Sequence, residues 1–317
     1  MTNTPLDILA HDHDKIAALA GKTFLITGGD GMLGRAFKAQ LARHAPTATV
    51  HSLGKEQLDV RKPEAFAAHE PLRPDYVVHC AALVDADYCE DHPEEGRASI
   101  VEGTRNAIHY ASRLGASLLY PQSFLIHDGE KPIDESTAPS PLCVYGRLKS
   151  EAEALVLDQF DGSFLAVRMG GFFGGAQADD NFVGRMTPHL ANLVREGKQS
   201  IDVGNRIWQP TYTHDLAANS LLLMAQQASG IYCMASHGRA SFHELTVEIA
   251  RLLGIDSKVH IGCVDASLLA SKERARRPLR AEMTNRRLQA EGLDRQRTWQ
   301  SSLAEYLSNP YFEELFR

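Results

Sequence analysis

The stretch TGGDGMLG, residues 27–34, decides the fold, because it separates a strand-like run from a helix-like one. Before it stand Phe24, Leu25 and Ile26, a short and partly β-branched apolar run preceded by Gly21 and Lys22, which reads as a buried strand. After it, residues 35–43 carry Ala36, Phe37, Ala39 and Leu41 between basic residues, the pattern of a helix packed on a sheet. Clustered glycines at such a junction let backbone N–H groups approach a diphosphate at the positive end of the helix. Gly28, Gly31 and Gly34 follow a G-x-x-G-x-x-G rather than a G-x-G-x-x-G spacing. A glycine triplet alone fits a plain tight turn equally well.

Outward from the loop, candidate strands at 24–27, 49–53, 76–80, 117–120 and 164–167 alternate with helical patterns at 35–43, 63–70, 94–114 and 145–158. That order predicts an α/β, Rossmann-like, doubly wound parallel sheet with helices on both faces. Residues 1–170 form the expected dinucleotide-binding domain, with 1–20 as an N-terminal extension. The polar, glycine-rich stretch GGFFGGAQADDN, residues 170–181, reads as a loop. It opens a second half, 171–317, expected to be mainly a smaller substrate-binding lobe with some segments returning to the first domain. Strands there, such as 230–234, look isolated.

Composition narrows the function classes. A net charge of -7 argues against a general nucleic-acid binder, which needs a basic face. The one basic cluster, KERARRPLR at 272–280, reads as a solvated helix end or as a contact to an anionic substrate. Five cysteines, Cys80, Cys89, Cys143, Cys233 and Cys263, lack any C-x-x-C pair and suggest reduced thiols in a cytoplasm. No run of about 18 apolar residues and no signal-peptide pattern is visible, so a cytoplasmic protein without a membrane partner is expected. The alternation His11, Asp12, His13, Asp14 reads as solvent-facing polarity near a terminus, and no metal site is expected.

Three residues carry the chemistry. Tyr145 and Lys149, in VYGRLKSEAE, stand four apart in a helix-forming segment, which puts phenol and ammonium on one face. A nearby cation favours phenolate, so Lys149 is expected to lower the phenol pKa and make Tyr145 a proton donor and acceptor. Ser123, at the carboxyl end of the strand before it, would hydrogen-bond a substrate carbonyl oxygen. Glycine loop, serine and the Tyr/Lys pair follow one another in chain order, and their conjunction is far more specific than any one of them.

With TGGDGMLG, LDVRKPEAF, PDYVVHCAALVDADYCE, VEGTRN, PQSFLIHDG, PSPLCVYGRLKSEAE, FLAVRMGGFFG, QPTYTHDLA and RPLRAEMTNRRLQAEGL, nearly the whole chain resembles the extended short-chain dehydrogenase/reductase family, within it the dTDP-4-dehydrorhamnose reductase group. The resemblance implies a nicotinamide cofactor and reduction of a ketone on a nucleotide-linked deoxysugar. It places Ser123, Tyr145 and Lys149 on the catalytic positions and Gly28, Gly31, Met32, Leu33, Gly34 and Arg35 around the diphosphate. Asp59 and Val60 fall on the adenine side, Ala81 and Ala82 beside the cofactor, and Phe124, Asn181 and Arg206 on the substrate side.

The departures bear on the substrate. Gln122 to His127, QSFLIH, stand where the group carries S-T-D-Y-V-F. Arg168, Met169, Gly170 and Gly171 stand where it carries R-T-S-W, so a flat wall over the sugar is missing. Ile100 replaces an asparagine, and Cys80 the first residue of N-A-A. An altered substrate pocket follows, beside an intact proton-transfer pair and cofactor loop. The end of the second strand carries no acid among Val50 to Lys55, and Ser52, Lys55 and Arg35 would receive a 2′-phosphate, so NADP(H) is favoured with NAD(H) possible. Alternatives are an epimerase or dehydratase of the same family, or a non-catalytic NADP-binding regulatory subunit like the beta subunit of methionine adenosyltransferase. A homo-oligomer is compatible with the sequence.

Overall fold

In the computed structural model, which describes residues 6–175, 179–270 and 273–316, the loop at 27–34 joins the first strand to the first long helix. The strands β1 (Thr23–Thr27), β2 (Thr49–Leu53), β3 (Tyr76–His79), β4 (Ser117–Ser123) and β5 (Phe164–Met169) are all parallel. Together with the strand Gly230–Met234 they form one six-stranded sheet in the order Gly230–Met234, β5, β4, β3, β1, β2. The alternation of strand side chains divides the core. Phe24 and Ile26 pack with Phe37 and Leu41 on one face, and Leu25 packs with Val77 and Leu118 on the other. Both faces are therefore covered by helices, as a parallel sheet requires.

The strand Gly230–Met234 has its expected bounds but is not isolated. It pairs in parallel with β5 as the edge of the central sheet. It follows the helix Thr213–Ala225, in which every residue but His214 is buried, so the two form one more crossover unit on the sheet. The stretch 170–181 is also more ordered than a loop: Phe172–Phe173 is a short strand paired with Thr211–Tyr212. Residues 176–178 of that stretch lie outside the described residues.

Two local features position the site. β4 runs on to Ser123, three residues beyond the expected end. The rod expected at 94–114 is built from the helices Pro93–Arg97 and Gly103–Leu114 around a π-helical turn, Ala98–Glu102. From it, Asn106 Nδ2 donates to the Val60 carbonyl at 2.9 Å and fixes the segment after β2.

Of the four polar residues at 11–14, His11, His13 and Asp14 are exposed, as expected, and only Asp12 departs from the solvated reading. Leu9, Ile16 and Leu19 are buried in the first core cluster, and Asp12 is only 2 % exposed. Arg295 Nε and Lys15 Nζ donate to the Asp12 carboxylate at 2.6 and 2.8 Å and hold its pKa down at about 2. No group of three or more His, Cys, Asp or Glu side chains suited to a metal occurs among the described residues. No described helix is long and apolar enough to cross a membrane.

A carboxylate with a depressed pKa stabilises the fold above its unfolded pKa and loses that contribution as pH falls through the folded value. Asp12→Asn is therefore expected to lower stability by about 2 kcal/mol at pH 7, with the gap to the unsubstituted protein narrowing below pH 4. Urea unfolding at pH 7 and pH 3 checks this; an equal gap at both would contradict it.

Candidate active site

The glycine loop lies where the chain order reverses, between β1 and β3. Gly29 N donates to the Leu53 carbonyl at 2.9 Å and ties the loop to the end of β2. On the other side, Ala81 N donates to Thr27 Oγ1 at 3.2 Å, and Thr27 Oγ1 lies 2.9 Å from His79 Nδ1. Burial keeps that imidazole neutral, with its pKa pushed down to about 3. Gly28 adopts φ +64°, and a Cβ there would stand 2.8 Å from the Ala81 backbone. Such close approach admits only glycine. The helix Met32–His44 then begins at its cap, Gly31, with its first turn facing a cavity of about 760 Å³. A helix start reached through close-packed glycines and facing a cavity has the backbone geometry that a diphosphate site requires.

The cavity gathers most of the expected residues. Gly28, Gly31, Met32, Leu33, Gly34, Asp59, Val60, Ala81, Ala82, Ser123, Tyr145, Lys149, Phe124, Asn181 and Arg206 all line it, and Asn181 Nδ2 lies 3.3 Å from Met32 Sδ, against the start of the helix after the glycine loop. Two residues are not among its lining. Arg35 Nη2 is paired with Asp179 at 2.8 Å, while its Nη1 donates to the Asp30 carbonyl. Ser52 packs its hydroxyl beneath Gly29. Lys55 does line the cavity. The Asp59 carboxylate is engaged by Arg61 Nε at 2.8 Å, which holds its pKa down at about 2.

Burial, rather than the neighbouring cation, governs the Tyr/Lys pair. Tyr145 has its phenol pKa pushed up by desolvation, opposed by a hydrogen bond with Ser123. The expected lowering by Lys149 is not found, because the ammonium turns elsewhere: Lys149 Nζ donates to the Pro121 carbonyl at 2.7 Å and lies 4.1 Å from the centre of the Tyr120 ring. Burial lowers the Lys149 pKa to about 7, against the opposing pull of Glu153 one turn along the helix. Glu153 is itself in a buried ion pair with Arg168 at 2.7 Å.

Gln122 is a positioning residue that the sequence reading registered only as a departure. Its Nε2 donates to the Lys149 carbonyl at 2.9 Å and its Oε1 accepts from Ser123 N at 2.8 Å, so one buried amide links the catalytic strand end to the catalytic helix. Nothing in local sequence pattern marks it.

The second half adds Asn181, Phe182, Arg206, Trp208 and Phe242 to the cavity lining. Asn181 caps the helix Phe182–Arg195 by accepting from Gly184 N at 3.0 Å. Arg206 donates two hydrogen bonds to Glu273, at 2.6 and 2.8 Å. A Cβ at Gly171 would overlap the ring of Trp208 and stand 3.3 Å from Phe124 Cε1. The indole centroid lies 5.0 Å from that of Phe242. Of the basic cluster, Arg274 and Arg277 pair with Asp91 and Asp87, and Arg277 and Pro278 line the cavity, while Lys272 lies outside the described residues.

A buried lysine whose pKa is depressed leaves the unfolded chain holding one proton more between pH 7 and its ordinary value of 10.5, so stability rises with pH across that window. Without cofactor, Lys149→Met is expected to be more stable than the unsubstituted protein at pH 7, with the difference shrinking by about 1.4 kcal/mol per pH unit towards pH 9. Chemical denaturation at both pH values decides, and a pH-independent difference would contradict it.

Comparison with known proteins follows this geometry. Residues 22–311 match the family model described as RmlD substrate binding domain. The chain is 31% identical over 291 residues to a dTDP-4-dehydrorhamnose reductase of Streptomyces griseus, covering 89% of this chain and 92% of that protein. Among solved structures, a dTDP-4-dehydrorhamnose reductase from Clostridium acetobutylicum superposes with a TM-score of 0.82 at 28% identity, over 90% of this chain and 98% of that one. The Bacillus anthracis enzyme of the same name, in complex with NADP, gives the same TM-score at 24% identity, over 90% of this chain and 99% of that one. The loop at the sheet's reversal point, the Ser/Tyr/Lys wall and these matches together place the chain in the RmlD substrate binding domain family, the dTDP-4-dehydrorhamnose reductase group of the extended short-chain dehydrogenases/reductases.

Proposed function

We propose that this chain is an NADP(H)-dependent ketoreductase that reduces the 4-keto group of a dTDP-linked 6-deoxy sugar. The observation that carries the reading is that Ser123, Tyr145 and Lys149 line one cavity together with the glycine loop. The backbone at Gly28 to Gly34 fits a diphosphate, Asp59 and Val60 lie where an adenine would, and Ala81 and Ala82 flank the path between. A reduced nicotinamide bound there supplies the hydride. Tyr145 gives its proton to the oxygen that becomes an alkoxide, and Ser123 orients the carbonyl. Lys149, once protonated, would stabilise the phenolate left behind and bond the nicotinamide ribose.

The substrate pocket is the part most particular to this chain. Gly171 leaves the space into which Trp208 packs, and with Phe124, Phe182 and Phe242 the indole forms an aromatic wall of the cavity. In this reading that ring supplies the flat surface that residue 171 does not. The retained Ser, Tyr and Lys favour an enzyme over a regulatory subunit, and Phe124, directly after Ser123, places no acid where a dehydratase would carry one.

The test is NADPH consumption on adding dTDP-4-dehydrorhamnose. Tyr145→Phe is expected to cut turnover by about 10² to 10⁴ while leaving NADPH affinity within a few-fold, because only the proton donor is removed. A variant retaining most of its rate would refute the role of Tyr145.

A further inference from the structure

The second strand ends without an acid, yet the structure supplies a carboxylate at that place from the glycine loop itself. The bond from Gly29 N to the Leu53 carbonyl seats the loop on the last residue of β2. Asp30 follows immediately, and its exposed carboxylate lies against Gly54, the next residue after β2: a Cβ at Gly54 would overlap Asp30 Oδ2. Asp30, Gly54 and Lys55 all line the cavity. In dinucleotide-binding folds an acid at the end of the second strand bonds the adenosine ribose hydroxyls.

Arg35 takes a different part from that of a phosphate ligand. Its guanidinium is held by Asp179, whose side chain is only 6% exposed, and by the Asp30 carbonyl. It braces the Asp30 backbone and does not line the cavity. Asp30, against Gly54, and Lys55, the next residue, carry opposite charges in the cavity lining, while Arg61, which also lines it, is paired with Asp59.

We propose that Asp30 reads the adenosine ribose: its carboxylate accepts hydrogen bonds from the 2′- and 3′-hydroxyls of NADH and opposes the 2′-phosphate of NADPH, while Lys55 attracts that phosphate. The assignment rests on the reading of the cavity as a dinucleotide site. It gives the chain a weaker preference for NADPH than Lys55 alone would set, and it makes Asp30 of the glycine loop, rather than an acid on the second strand, a determinant of cofactor choice.

Titration calorimetry with NADH and NADPH on the unsubstituted protein, Asp30→Asn and Lys55→Ala tests this without any substrate. Asp30→Asn is expected to weaken NADH about tenfold and to tighten NADPH, opposite shifts that a loop distortion would not produce. Lys55→Ala should weaken NADPH and leave NADH nearly unchanged. Parallel changes in both cofactors, or an unchanged ratio in Asp30→Asn, would overturn the role of Asp30 alone. An unsubstituted protein that binds neither would overturn the dinucleotide site and this assignment with it.

Discussion

The site depends on how the helix Val144–Gln159 is held against the end of β4. Two hydrogen bonds do this, from Gln122 Nε2 to the Lys149 carbonyl and from Lys149 Nζ to the Pro121 carbonyl, while Gln122 Oε1 accepts from Ser123 N within the strand end. Beneath them the Arg168 and Glu153 pair joins β5 to the same helix in a region from which water is excluded. Removing one member of such a pair strands a charge, so the joint resists sliding even where its net contribution to stability is small. Sheet, helix and the side chains of Ser123, Tyr145 and Lys149 are thereby joined in one unit, which is what orientation of a proton donor would require on the proposed function.

The same enclosure sets the electrostatics. Burial raises the Tyr145 pKa and lowers that of Lys149 to about 7, so both groups favour their neutral forms when the protein stands alone. An anionic diphosphate cofactor nearby would favour the ammonium, and the ammonium in turn the phenolate. On the proposed function, the Tyr145/Lys149 pair would therefore be coupled to cofactor binding through charge. Stability held back at Lys149 is the corresponding cost, and it is a familiar exchange of fold stability for function.

Much of this was legible from local pattern. The apolar run at 24–26, the glycines and the helix after them identify the sheet's first crossover, and the spacing of Tyr145 and Lys149 identifies one helix face. Local pattern has less to say about partners distant in sequence. The strand Gly230–Met234 is recognisable as a strand, but its neighbour β5 is chosen by the crossover helix between them. Asp12 looks like terminal polarity until Arg295, from the far end of the chain, meets it. Arg35 looks like a phosphate ligand until Asp179 claims its guanidinium. Gly171 looks like a lost wall because Trp208, which fills that space, comes from another strand. In each case the residue type was readable and its partner was set by tertiary packing.

The most direct measurement of the central claim is isotope transfer. NADPH carrying deuterium at the transferable C4 position is incubated with dTDP-4-dehydrorhamnose and the chain, and the product is analysed by mass spectrometry and NMR. The account predicts one deuterium on sugar carbon 4 of a dTDP-linked product for each NADPH oxidised. NADPH that binds but transfers no label to the sugar would contradict it.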